Sequence, residues 1–513
     1  MSTKTASKKN GAVKFNTISQ IFIGGKWKTA ATAKTIEVRN PATLDLLGSV
    51  PNCTKEDVDA AVGAAKKAQR DWWKTPGVEK AAMLHEVARR IRAMEHELFT
   101  TLSLESGKPL WEAKDCIEWV AACFDYYAEV GRASHGNSIP PVAHHQVNFT
   151  IKEPYGVVAA IAPFNFPLLL MSWKVAPALA AGNTVVAKPP SPNPLSNLLL
   201  AKAYEALPPG VVNVITGSGS SAGELLINHP GVDLIAFTGS TEVGRHIASV
   251  AGQQLKKINL ELGGIDPFIV CEDADLDIAV PGVAWARLLN AGQVCTSSKR
   301  IYVVRKIAEE FMRRVVQYVR TLKVGDPSDY TTDVGPMINE SALNTVEDQV
   351  SRLLEKEKAR ILTGGRRIAP HGLKGWFLEP TVLGNVRHGG IATTEEIFGP
   401  VLALIAVKDV NEAIKLANDS EFGLGASIYT KNLEYAMRAM ENIKAGTFWI
   451  NDPLTDNDAG PFGGMRHSGV GRELGEEGLD AFREPKHVHL DYVMEKKNFW
   501  YPYSQRGDLK PKK

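Results

Sequence analysis

Apolar residues recur at helical spacing between 80 and 104, at Met83, Val87, Ile91, Met94 and Leu98, which predicts one amphipathic helix there. A second helix is expected over 111–128, with Ser106-Gly107-Lys108-Pro109 as the break between them. The pattern then alternates: Val147, Phe149 and Ile151 interleave with polar residues, as in an exposed strand or arm. From 157 onward short β-rich runs (157–162, 184–188, 211–215, 234–238, 257–261) are separated by helical stretches (168–181, 194–206, 222–228, 241–251). Strand and helix in alternation predict a parallel sheet covered by helices, a Rossmann-like arrangement. A second α/β region starts near Pro267, with strands near 268–271, 300–304, 401–407, 426–429 and 447–450 and helices at 307–322, 411–418 and 433–443. The tail after Lys486 is β-like at Val488, Leu490 and Tyr492, then aromatic and basic. That tail and the segment 136–154 are too thin to bury a core alone, and pairing with another subunit would explain both.

A chain of 513 residues exceeds one ordinary core, so two or more domains are expected. Lys and Arg number 59 against 57 acids, a net charge of +2, which gives no support to nucleic acid or an anionic membrane as partner. No apolar run reaches the length of a membrane span. Residues 1–17 carry Lys4, Lys8, Lys9 and Lys14 without an apolar stretch and read as a solvated tail. Five cysteines form no C-x-x-C pair, which argues for reduced thiols in the cytosol, one of them reactive. No His/Cys/Asp/Glu cluster has metal-ligand spacing; His144-His145 and His487/His489 read as surface imidazoles.

Several residues stand out chemically, each with a plainer reading beside it. Cys295, in Gly292-Gln293-Val294-Cys295-Thr296, is either a small buried hydrophobe or a nucleophile at a loop or helix start, where backbone N–H groups lower a thiol pKa. Glu261 ends an apolar run before Gly263-Gly264; it caps a turn, or it is a general base at the carboxyl end of a parallel strand. Asn165, in Pro163-Phe164-Asn165-Phe166-Pro167, caps a helix or offers its amide to an oxyanion together with the Cys295 N–H. Lys188 is a surface lysine or a holder of a cofactor hydroxyl or phosphate. The run Phe237-Thr238-Gly239-Ser240-Thr241-Glu242-Val243-Gly244 has the strand, turn and helix start that suit a pyrophosphate, though a G-x-x-x-x-G turn alone is weak evidence. Gly217 and Gly219 read as turn residues only.

Taken in order, these segments resemble the aldehyde dehydrogenase superfamily, joined by Glu396-Ile397-Phe398-Gly399-Pro400 and Pro461-Phe462-Gly463-Gly464. The resemblance runs from about Phe22 to about Tyr492. It implies an α/β fold: a Rossmann-like cofactor domain (18–135 and 155–263), an α/β catalytic domain (264–467) and a β oligomerisation arm (136–154 and 483–503), with a further tail at 504–513. It also implies Cys295 as nucleophile, Asn165 in the oxyanion hole, Glu261 as activator of water, and NAD or NADP as cofactor. Phe164, Lys188, Ser191, Gly239, Ser240, Glu396 and Phe398 would hold that cofactor, Lys188 at the adenine ribose and Ser240 at a phosphate. The presence of Glu261 favours the hydrolytic branch over acyl transfer to coenzyme A. Family members that prefer NAD often carry a glutamate where this chain has Ser191, so NADP is expected to be tolerated. Arg466 replaces a lysine common in the family.

Leu170, Trp173, Val294, Thr296 and Phe462 would line the substrate tunnel, with Trp119 and Asp456 near its mouth. That lining suits aliphatic or aromatic aldehydes. The 111–128 segment holds no arginine, which disfavours a distal carboxylate. Asp456, Asp458 and Glu118 suggest a cationic aminoaldehyde as the alternative. A non-catalytic binding protein of this fold would have no need of Cys295, Glu261 and Asn165 together, and a cofactor-independent thiol esterase would leave Glu396, Phe398, Lys188 and Ser240 unexplained. A cytoplasmic homodimer or homotetramer is expected.

Overall fold

The computed structural model describes residues 20–133 and 135–503; the two tails anticipated at 1–17 and 504–513 lie outside the described residues. Two large sheets organise the chain. In the first, the strands Val157–Ile161, Thr184–Lys188, Val212–Val214, Leu234–Thr238 and Lys257–Glu261 run parallel, with Val157–Ile161 central between Thr184–Lys188 and Leu234–Thr238. Strands Val157–Ile161, Thr184–Lys188 and Leu234–Thr238 are buried along their whole length, so their sequences are continuous apolar runs rather than alternations. The N-terminal strand Gln20–Ile23 joins one edge antiparallel through Phe22 and Val214, and Gly469–Val470 closes the other beside Leu260 and Glu261.

The second sheet has strands Asp266–Val270, Ser298–Val304, Val401–Val407, Gly425–Tyr429 and Thr447–Ile450, again parallel, with Thr381–Gly384 parallel beside Val401–Val407. Glu261 ends a strand of the first sheet and Asp266 begins one of the second, so the carboxyl edge of one sheet abuts the amino edge of the other. A long antiparallel ribbon pairs Gln146–Pro154 with Arg483–Asp491 outside both sheets, leaving Val147, Ile151 and Leu490 exposed.

One expectation fails. The apolar pattern over 80–104 is not one helix but two, Gly77–Ala93 and Glu95–Ser106, broken at Met94 (φ −104°, ψ 12°). Both helices bury the same stripe, including Val87, Ile91, Leu98 and Leu102, so the periodicity continues through the break. The turn lets Glu105 reach the start of the Leu195–Leu200 helix, where its carboxylate accepts from the N–H groups of Leu195 (2.7 Å) and Ser196 (2.9 Å). The stretch expected at 194–206 likewise divides, into Leu195–Leu200 and a 3-10 turn at Ala203–Ala206.

Candidate active site

Because the strands of the first sheet are parallel, whatever follows them gathers at one edge. Asn165 follows Ile161, Lys188 ends its strand level with Ile161, Ser240 follows Thr238, and Glu261 ends its strand level with Thr238. Ser240 caps the Thr241–Gln254 helix, its Oγ accepting from the Val243 N–H, and is exposed at that N-terminus. Gly239 donates its N–H to the Glu261 carbonyl at 3.0 Å, and a Cβ there would stand 2.3 Å from the Phe237 ring. Lys188 is buried and, among the described residues, donates only to the carbonyls of Pro189 (2.8 Å) and Gly217 (3.3 Å); burial pulls its amine down to about 8. Ser191 donates to the same Gly217 carbonyl at 3.1 Å. Gly217 is therefore more than a turn residue: at φ 147° its carbonyl organises both candidate adenosine-side groups.

The nucleophile candidate comes from the facing edge. Cys295 is partly buried in a turn between the 3-10 turn Leu289–Gly292 and the strand Ser298–Val304. No helix starts there, so the expected lowering of the thiol by a helix N-terminus is absent. Burial instead pushes it up, opposed by Lys299 and reinforced by Glu396, Asp266 and Asp456. The turn is strained: Asn290 (φ 51°), Ala291 (φ 54°) and Gly292 (φ 74°) are all left-handed. Gly292 is obligatory, since a Cβ there would stand 2.2 Å from the Gly399 carbonyl oxygen.

Buried Arg287 holds this turn without a carboxylate partner among the described residues. It donates to Gly292 O (3.1 Å) and Ser297 Oγ (2.9 Å) on the cysteine side, and to Ile397 O (2.6 Å) and Val401 O (2.7 Å) around Phe398. Asn290 makes the third tie, its Nδ2 donating to the Asn165 carbonyl at 3.1 Å. Asn165 is buried, and among the described residues its side-chain amide has no hydrogen-bond partner, so it is free to donate to a ligand oxygen. Phe164 and Phe398 meet edge to face at 5.9 Å. Glu396 lies against Gly263, where a Cβ would come within 2.5 Å of its Oε2.

Glu261 is buried; one oxygen accepts from the Gly464 N–H at 3.2 Å while Oε1 has no hydrogen-bond partner among the described residues. Burial, and then the Glu473 carboxylate, hold its pKa well above the usual range, with Lys174 opposing. Lys174 pairs with Glu473 at 2.5 Å, both side chains almost wholly buried, and also donates to Thr238 Oγ1 at 2.6 Å. Sequence reasoning missed this pair. Its only signal was a lysine inside the mostly apolar helix Leu169–Ala181, and nothing marked Glu473 as its partner 299 residues away.

A cavity of about 200 Å³ opens beside Cys295. Leu170, Trp173, Val294, Thr296, Asp456 and Phe462 all line it, as does Trp119. Leu170, Trp173 and Lys174 share one helix, so two line the cavity while the third ties the helix to Glu473. Three further carboxyl or aromatic groups that the sequence did not single out also line it: Glu112, Asp115 and Trp285. Among the described residues no Lys, Arg or His lines it. Glu118 is not in the wall; it is paired with Arg92 at 2.8 Å. Burial pushes Asp456 to about 7, Glu112 to about 7 and Asp458 to about 6. Among the described residues no group of His, Cys, Asp and Glu could hold a metal ion, and no helix is long and apolar enough to cross a membrane.

Comparison with known proteins gives a consistent picture. Residues 27–488 match the sequence profile of the Aldehyde dehydrogenase family. The peroxisomal aminoaldehyde dehydrogenase 2 of Pisum sativum is 40% identical over 492 residues, 94% of this chain and 97% of that protein. Betaine aldehyde dehydrogenase 1 of Oryza sativa subsp. japonica is 40% identical over 491 residues, with the same shares covered. Among solved structures, an NAD-dependent aldehyde dehydrogenase from Sinorhizobium meliloti superposes with a TM-score of 0.92 at 37% identity, covering 95% of this chain and 97% of that one. An NADP-dependent enzyme from E. coli superposes with a TM-score of 0.90 at 38% identity, over 92% and 98%.

Proposed function

Since this chain belongs to the aldehyde dehydrogenase family and is an NAD(P)-dependent oxidoreductase acting on aldehydes, we propose that Cys295, Asn165 and Glu261 divide its chemistry between them. The Cys295 thiolate attacks the aldehyde carbon, and the oxyanion of the thiohemiacetal lies between the Asn165 amide and the Cys295 N–H. NAD(P)+, when bound, supplies the hydride acceptor that takes the adduct to the thioester level. Glu261, as carboxylate, then removes a proton from the water that attacks the thioester, releasing the acid and the thiol. The unpartnered Oε1 of Glu261 is the observation that carries this reading, since a buried carboxylate oxygen without a protein partner suits a bound water.

Lys188, Ser191 and Ser240 suit the adenosine and phosphate side of the cofactor, and Glu396, Phe398 and Phe164 the nicotinamide side. Lys188 and Ser191 converge on one carbonyl at the sheet's carboxyl edge, with an exposed helix N-terminus after Leu234–Thr238, on the far side of Val157–Ile161. Ser191 brings no negative charge to repel a 2′-phosphate, so we read both NAD and NADP as accepted.

For the substrate, the carboxyl groups of Asp456, Asp115 and Glu112 among tryptophans, with no cation in the wall, favour an aliphatic aldehyde with a distal amine or quaternary ammonium. This chemistry matches the aminoaldehyde and betaine aldehyde named for the two relatives. Plain aliphatic or aromatic aldehydes are the second reading, favoured by the mostly apolar wall of Leu170, Trp173, Val294 and Phe462. Reduced-cofactor absorbance with amino-, aliphatic and aromatic aldehydes, each with NAD+ and NADP+, tests all of this. Turnover should vanish in Cys295→Ala. Asp456→Asn should raise KM about tenfold for the cationic substrate only, and an equal effect on every aldehyde would defeat the aminoaldehyde reading.

We further read the Gln146–Pro154 and Arg483–Asp491 ribbon as an oligomerisation arm of a homodimer or homotetramer, on the strength of its exposed Val147, Ile151 and Leu490. Five unpaired cysteines support a reducing compartment such as the cytosol, which cell fractionation would test.

A further inference from the structure

Four residues beyond Cys295, Lys299 is buried, its side chain only 1% exposed. Its ammonium serves three oxygens. It donates to the carbonyls of Cys295 at 2.5 Å and Val294 at 2.9 Å, and it pairs with Glu396 Oε1 at 3.0 Å. It also lies 5.8 Å from the centre of the Phe398 ring. A buried lysine is costly unless fully paired, and an apolar side chain of equal length would fill the same space without that cost. Its two hydrogen bonds hold the nucleophile's own turn, and its ion pair, which lacks hydrogen-bond geometry, reaches the carboxylate on the cofactor loop. The loop around Glu396 and the turn around Cys295 are thus joined by one charge.

The strongest of the other charges acting on the Cys295 sulfur, among the described residues, are acids: Glu396 from the cofactor loop, Asp266 from the start of its strand, and Asp456 from the loop before Phe462. Glu112 and Asp115 line the same cavity from the Leu110–Ala133 helix. Arg287, though near, spends its donors on Gly292 O, Ser297 Oγ, Ile397 O and Val401 O. Lys299 is the cation set against those acids.

We propose that Lys299 is a positioning residue that couples the cofactor loop to the reactivity of the Cys295 thiol. The inference rests on the reading of Cys295 as nucleophile and of Glu396 as a cofactor contact. Hydroxyl groups of a ligand that hydrogen-bond to the Glu396 carboxylate draw its negative charge away from Lys299. The ammonium is then less neutralised, and its field at the sulfur favours the thiolate over the thiol. The proton leaves to solvent through the cavity.

The test reads the thiol itself rather than turnover. Purified full-length enzyme is alkylated with iodoacetamide from about pH 6 to about pH 10, and modification of the Cys295 peptide is followed by mass spectrometry; the four other cysteines are buried and serve as internal controls for unfolding. Lys299→Met should move the midpoint of the rate–pH curve upward by about one unit, about a tenfold slower reaction at neutral pH. Lys299→Arg should stay within about threefold of wild type. NAD+ should lower the wild-type midpoint and leave that of Lys299→Met in place; comparing midpoints separates ionisation from simple shielding of the sulfur. A Lys299→Met midpoint equal to wild type, or one that NAD+ moves as far as in wild type, overturns the proposal. Should Lys299→Met fail to fold, Glu396→Gln serves instead. Its midpoint should fall below wild type and ignore NAD+, and an unchanged or NAD+-responsive midpoint overturns the proposal equally. Persistent turnover in Cys295→Ala would defeat the nucleophile reading separately.

Discussion

Glu261, Lys174 and Glu473 form a buried set of two acids and one base, which makes protonation here a matter of sharing. Burial and the second carboxylate raise Glu261, so at low pH it is a neutral acid and accepts no proton from water. Hydrolysis of the thioester should therefore speed up as pH rises through the Glu261 pKa, and stopped-flow measurement of the steady phase against pH would show a single rising limb. Glu261→Gln should keep the first turnover and lose the rest: a burst of reduced cofactor near one per active site, then a steady rate at least about 100-fold lower. Lys174→Met removes the only cation of the set and should cost about 3 kcal/mol of stability at neutral pH in urea unfolding. The sign with pH follows from the acids. Without Lys174 the folded-state pKa of Glu473 rises further, so the penalty is small below the unfolded glutamate pKa near 4.5 and grows as pH climbs above it.

At the scale of elements, the reactive turn is held by donors from elsewhere rather than by its own geometry. Three left-handed residues in a row, two of them not glycine, are unfavourable by about 1–2 kcal/mol each for Asn290 and Ala291. The bonds from Arg287 to Gly292 O and Ser297 Oγ offset part of that, and the same guanidinium holds the segment around Phe398. Arg287→Met should lower stability by more than about 3 kcal/mol, since several buried acceptors lose their charged donor together. Its KM for NAD(P)+ and its rate of Cys295 alkylation should change in the same variant, because one side chain ties both loops. Little of this was legible in the chain. Gly292, Gln293 and Cys295 were visible as a motif, but Arg287 sits in the helix Leu276–Leu288, which the pattern did not predict, and nothing marked it until the Val401 and Ile397 carbonyls are seen to fold back onto it. The same holds for 80–104, where a shared buried stripe hid the break at Met94.

For the whole molecule, two sheets meet edge to edge and the site occupies their seam. The ribbon of Gln146–Pro154 and Arg483–Asp491 stands apart and presents Val147, Ile151 and Leu490 to solvent. A combined Val147→Asp and Leu490→Asp variant should shift the sedimentation coefficient to that of a smaller species, with secondary structure retained. A variant that sediments as wild type would defeat the reading of the ribbon as an oligomerisation arm. The cofactor side was partly readable at this scale. Strand–helix alternation predicted the parallel sheet, and Thr184–Lys188, Leu234–Thr238 and Lys257–Glu261 form on the expected residues. The helix Glu340–Glu357 and the strands near the N-terminus did not emerge from the pattern.

What the chain determined by itself is the local part: buried parallel strands are continuous apolar runs, and the glycine-flanked Glu261 and Cys295 stand out because close backbone approach demands glycine beside them. The family, and with it the oxidation of aldehydes, follows from that order of segments. Charge balance belongs to the tertiary structure alone. Whether a buried acid is neutral, whether Glu118 lines a cavity or pairs with Arg92, and whether Cys295 has a helix N-terminus or Lys299 beside it depend on residues brought together from distant positions. Spacing along the sequence carries no record of such contacts, because electrostatic neighbours and desolvation are set by packing rather than by order in the chain.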